Sequence, residues 1–322
     1  MNKDYTVEEF ANVIEAMICE EFAGRGMKVN PKRTLEFSVN QKNEIIAFQN
    51  EDGFAFKFWI TDWYAEYIDS IKDSADGADT MRSITERFVQ NAFREYLQFG
   101  DIFPKNLMEA LSNFEELKGG VLPRVCSAEN NEYLSDKPHF LFADTLACYY
   151  SVAVPRFGIV CIISNDMLQN FHVDEETLRE IAFSNLEKEG FCLIPFSPGD
   201  SKETLLSKFN MVQNGVDDSE MFNGETIVLY GMTRKEMHYG ASVVADQSMV
   251  RQAYEKIGEP FYVIPSSVHE VLLVPFSQVY EPTELLGYVK DVNSTIISPS
   301  ERLADHVYLM DDLRDFKVRC VL

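Results

Sequence analysis

The stretch LACYYSVAVPRFGIVCIISNDMLQNFHVDEETLREIAFSNLEK, Leu146 to Lys188, holds two apolar runs, Leu146 to Val154 and Gly158 to Ser164, that meet at Pro155. From Asp174 the period changes, and Leu178, Ile181, Ala182 and Leu186 recur at helical spacing. Two strands joined by a tight turn must run antiparallel, because a parallel neighbour needs a long crossover after every strand. The unit is therefore strand, strand, helix. Thr226 to Met232 and Tyr239 to Ala245 read as a second such strand pair. Asp246 follows as an N-cap, with Met249, Val250, Ala253 and Ile257 as a buried stripe and Gly258 as the stop. Phe261 to Ile264, Val268 to Val274 and the helix Thr283 to Val292 make a third unit. Ser298-Pro299-Ser300-Glu301 starts a short helix, and His306 to Met310 with Phe316 to Val321 closes the chain as a strand pair. The segment from Phe196 to Asn223, rich in Ser, Asp, Asn and Gly, reads as a long surface loop or flap.

Upstream, Thr6 followed by Glu9 is a capping-box pattern, and Val7, Phe10, Val13, Ile14, Met17 and Ile18 lie on one helical face. Leu35, Phe37 and Val39 then alternate, Ile45 and Ile46 begin another apolar run, and Phe54, Phe56, Phe58 and Ile60 alternate after Asp52-Gly53. This predicts a small antiparallel meander. Helical spacing returns in Ile84, Phe88, Val89, Ala92, Phe93 and Tyr96, and a further helix is expected over Asn106 to Leu117. The sequence thus predicts an α+β fold: a smaller α+β lobe over residues 1–120, then a lobe over 121–322 of serial strand-strand-helix units, whose strands form a mostly antiparallel sheet with helices packed on it.

With 322 residues, 46% of them hydrophobic, the chain can bury sizeable cores, and its formal charge of −23 repels a phosphate backbone. Direct nucleic-acid binding is not expected; an acidic surface could instead meet a basic partner or imitate DNA, but solubility is the simpler account. The segment MNKDYTVEEFANVIEAM lacks the apolar core of a secretory signal, and no apolar run reaches membrane-spanning length. A cytoplasmic protein without membrane contact is predicted. The six cysteines are dispersed without a CxxC pair, so neither a zinc knuckle nor a disulfide framework is indicated. GxGxxG and GxxxxGK[ST] are absent, and no cofactor is expected. The aromatics of FAFKFWITDWYAEY suggest a stacking platform, but alternation points every second ring inward, which favours a core role.

FYVIPSSVHEVLLVP, Phe261 to Pro275, places Ser266, Ser267, His269 and Glu270 at one polar corner between apolar runs. A serine nucleophile needs a base within reach and an orienting acid. Strand geometry puts Ser267 and His269 on one face and Glu270 on the other, and no GxSxG elbow is present. The simpler account is a Pro-Ser-Ser turn whose hydroxyls satisfy backbone amides. A metal reading would gather His139, Asp144, His269, Glu270, Asp305 and His306, yet HEVLL lacks the second histidine of a zincin, and Asp305 and His306 are adjacent residues of a strand.

The PSS-V-HE corner, together with Phe56 to Tyr67, the segment from Arg124 through PHFLFADTLACYY (Pro138 to Tyr150), Tyr239-Gly240-Ala241 and LADHVYLMD (Leu303 to Asp311), resembles a domain-of-unknown-function family of clostridial, gut-associated bacteria across nearly the whole chain. Where relatives carry a basic residue after the histidine of PH, this chain has Phe140. The resemblance implies a shared fold and a bacterial, cytoplasmic setting, and says nothing about a reaction. Two functions are thus carried forward: a non-catalytic binding or regulatory module for a protein or small-molecule partner, and a hydrolase or metal-dependent enzyme built on the Ser267/His269 corner.

Overall fold

The computed structural model describes residues 5–26, 28–38, 41–49, 55–72, 83, 85–91, 94, 103–129, 131–200, 202–214, 216, 228–279 and 281–322. The fold is α+β and divides into two compact units, Met1–Ala110 and Leu111–Leu322.

In the first unit the helix Val7–Gly24 starts at a complete capping box: Thr6 accepts from the Glu9 amide, and the Glu9 carboxylate accepts from the Thr6 amide. A meander follows, β1 (Asn30–Ser38), β2 (Gln41–Gln49) and β3 (Ala55–Trp59), paired antiparallel in that order. The expected turn at Asp52-Gly53, and Phe54, Ile84, Ala92, Phe93 and Tyr96, lie outside the described residues. The alternation does not continue past Trp59; Ile60–Lys72 is a helix. Ile60, Trp63, Tyr64, Tyr67 and Ile68 have helical spacing, which the preceding period-two pattern overlaps and conceals. These side chains join the core or pack against it. Phe10, Ile14, Ile18, Phe48, Phe58, Tyr67 and Phe88 are all nearly or fully buried, and the Trp63 and Phe88 rings stack 5.0 Å apart.

The second unit holds two antiparallel sheets. In the first, β6 (Leu146–Val154) is central. It pairs along one edge with β4 (Val121–Ser127), and along the other with β5 (His139–Phe142) at its start and β7 (Ile159–Ile162) at its end. Helix Glu175–Glu189 follows, capped by Asp174, whose carboxylate accepts from the Thr177 amide. Its Asn185 donates to the carbonyls of Lys118 and Val121, which ties it to the start of β4. The second sheet comprises β8 (Phe191–Phe196), β9 (Leu229–Arg234), β10 (Phe261–Ile264), β11 (Val271–Pro275), β12 (Tyr308–Met310) and β13 (Arg319–Cys320), in the spatial order β13-β12-β10-β11-β9-β8. One core serves both sheets: Val125, Leu146 and Cys148 from the first pack with Leu193, Met232, Phe261, Leu273, Tyr308 and Met310 from the second. Full burial of such side chains stabilises by about 1.5–3 kcal/mol each.

Three expectations are corrected here. Tyr239–Ala245 is not a strand: β9 ends at Arg234, Met237 and Tyr239 take left-handed backbone, and Gly240–Ala245 is a 3₁₀ turn. The partner of β9 on that side is β8 instead, which the sequence reading did not assign. The segment Phe196 to Asn223 is not one long loop, since Lys202–Gln213 is a helix within it. Finally, β11 begins at Val271, so Val268, His269 and Glu270 belong to a turn and not to a strand.

Candidate functional site

The β10–β11 connection, Pro265 to Glu270, is closed by its own side chains. The hydroxyls of Ser266 and Ser267 both donate to Glu270 Oε1, each at 2.9 Å. Ser267 Oγ also accepts from the His269 amide at 3.0 Å, and the Ser267 amide donates to the Glu270 carbonyl at 3.1 Å. Ser267 is buried, so these contacts replace the water it loses. Neither serine hydroxyl meets an imidazole among these contacts.

The His269 ring makes its hydrogen bond to the segment after β9. Its Nδ1 accepts from the Tyr239 amide at 3.1 Å. An amide is only a donor, so Nδ1 is the unprotonated nitrogen of the neutral ring and Nε2 carries the hydrogen. Nε2 lies 3.6 Å from Glu301 Oε1. The backbone binds the same segments together: Val268 N donates to Glu301 O, Ala241 N to Val268 O, and Thr233 Oγ1 to His269 O. Gly240 lies at the tightest point. A Cβ there would fall 1.9 Å from Thr233 Oγ1, 2.6 Å from the His269 carbonyl oxygen and 2.8 Å from the Arg234 amide nitrogen.

Arg124 of β4 completes this cluster. Its guanidinium carbon lies 3.5 Å from the centre of the Tyr239 ring, a cation–π stack, and the residue is 8% exposed. The Tyr239 ring is in turn 5.2 Å from His269 and 4.5 Å from His238, and the two imidazoles are 5.3 Å apart. Burial lowers the pKa of His238, and the neighbouring His269, Arg124 and Arg234 lower it further. Burial raises the Tyr133 phenol, against an opposing pull from Arg124. Arg124 thus acts on both His238 and Tyr133.

The remaining sequence candidates lie apart from the corner's hydrogen bonds. His139 Nδ1 is 2.8 Å from the Lys137 carbonyl oxygen, and Asp305 accepts from the Asn293 amide group at 2.7 Å. Asp144 accepts from the Cys320 amide at 3.1 Å, while His306 places Nε2 2.8 Å from Glu129 Oε2 and Nδ1 3.2 Å from the Leu322 carbonyl oxygen. Among the described residues no three His, Cys, Asp or Glu side chains could hold a metal ion together, so the six ligands of the metal reading are not gathered. Sequence reasoning missed the stack of Arg124 on Tyr239 and the place of His238. The available signal was an arginine inside the apolar strand VLPRVCS, which needs a partner somewhere in the fold.

Residues 7–312 match a family described as a family of unknown function, DUF5688. The chain belongs to that family. No curated protein and no solved structure matches this DUF5688 chain. No helix among its described residues is long and apolar enough to cross a membrane.

Proposed function

We propose that this DUF5688 chain is a non-catalytic, cytoplasmic binding module whose ligand site is the cluster of Arg124, Tyr239 and His269. The observation that carries this reading is the occupancy of the corner. Both serine hydroxyls are committed to Glu270, and the acceptor nitrogen of His269 is committed to the Tyr239 amide. A nucleophile and its base would have to share a hydrogen bond, and here each is spent on holding a turn. Six cysteines outside any disulfide, three of them buried, suit a reducing compartment, and the acidic charge argues against nucleic acid as the partner.

Activity-based labelling tests this. A fluorophosphonate probe is expected to leave Ser267 unmodified. His269→Ala is expected to lower stability in urea unfolding by about 1–3 kcal/mol, because it strands the Tyr239 amide. Labelling of Ser267 that His269→Ala abolishes, in a variant as stable as wild type, would make the protein a serine hydrolase.

A further inference from the structure

The cations around the corner are not treated alike. Arg234 Nε stands 3.0 Å from Glu189 Oε1, an ion pair with both side chains mostly buried, although that buried nitrogen makes no hydrogen bond. Arg124 is nine-tenths buried, yet among the described residues its guanidinium has no hydrogen bond to a carboxylate or carbonyl. The chain as a whole has 52 carboxylates for 29 Lys and Arg side chains. Burying an unpaired charge is unfavourable, and a cation–π stack offsets only part of that. A guanidinium carries five N–H donors, and a cation–π contact satisfies none of them as a hydrogen bond. No side-chain nitrogen of Arg124 is both fully sealed and unpaired, so its N–H groups keep a small contact with solvent.

Two imidazoles gather around the same tyrosine ring. His269 presents Nε2–H, since Tyr239 fixes the tautomer, and His238 is exposed next to both rings. The nearby carboxylates are otherwise engaged or displaced. Glu270 holds the two serines, Glu189 holds Arg234, and Glu301 takes a hydrogen bond from Ser298 and stands 3.6 Å from His269. We propose that Arg124, floored by the Tyr239 ring and flanked by His238 and His269, receives an oxyanion of the ligand, a carboxylate or a phosphate group. A planar fork of N–H donors suits two oxygens of such a group, and it is the geometry in which arginine outperforms lysine. This assignment rests on the binding-module reading and gives its ligand a chemical class.

Isothermal titration of the full chain with inorganic phosphate, and separately with acetate, each against chloride of equal ionic strength, tests it. Saturable heat is expected from at least one anion, and the tighter of the two identifies the group. Arg124→Gln should weaken that binding about tenfold or more, the loss of a charge-assisted pair. Should Arg124→Gln not fold, imidazole NMR of the wild type decides: of the five histidines, His238 and His269 should shift saturably with the anion while His139, His172 and His306 stay still. Flat titrations with both anions, an unchanged affinity in Arg124→Gln, or shifts spread evenly over all five rings would overturn the assignment. Fluorophosphonate labelling of Ser267 would instead end the non-catalytic reading, so the two failures are separable.

Discussion

Gly240 shows how a single absent methyl group organises the site. Its Cα passes so close to Thr233, Arg234 and His269 that only hydrogen fits on that side, and two of the three nearest atoms belong to backbone that cannot swing aside. Gly240→Ala is therefore expected to cost more than about 3 kcal/mol, beyond the usual range for overpacking, and to remove the Tyr239 stack on Arg124 with it. Urea unfolding and the near-ultraviolet circular dichroism of the tyrosines would measure both. A stable variant with an unchanged spectrum would show that the segment after β9 can relax. Residue chemistry at the corner was legible: Ser266, Ser267, His269 and Glu270 stand out as polar residues between apolar runs. Their directions were not, because the turn geometry of Val268 to Glu270 depends on Ala241 and Glu301, residues far away in the chain.

At the scale of elements, what could be read were boundaries set by neighbours in sequence. Asp246 caps the helix Gln247–Ile257 by accepting from the Met249 amide at 3.0 Å, and Gly258 ends that helix in left-handed backbone. Asp246→Ala should cost about 1 kcal/mol, within the usual range for a lost cap, as a shift in urea midpoint without a change in slope. An unchanged midpoint would mean water replaces the carboxylate. The 3₁₀ turn at Gly240–Ala245 escaped the same reading. Its residues Ala241, Val243 and Val244 are as apolar as a strand, and only the close approach of backbone at Gly240 forbids the extended form. Likewise the helix Ile60–Lys72 was hidden because one aromatic-rich run satisfies two periods at once, and only packing against Phe10 and Phe88 selects between them.

For the molecule as a whole, the order β13-β12-β10-β11-β9-β8 leaves β10 dependent on β12 to cover one of its edges. A chain shortened to remove residues 304–322 should expose that edge together with Phe261 and Val263, and should run as aggregate in gel filtration. A monomer melting like the full chain would contradict this. The same wiring bears on synthesis. Thr145 and Tyr308 share a hydrogen bond across 163 residues, Asp144 and Cys320 across 176, and Glu129 and His306 across 177. At about 5–20 residues per second, the early sheet waits roughly 10–30 s for the residues that finish its core. During that interval Val125, Leu146 and Cys148 have only part of their final cover, so newly made chains present a client for holding chaperones well before the second sheet is complete.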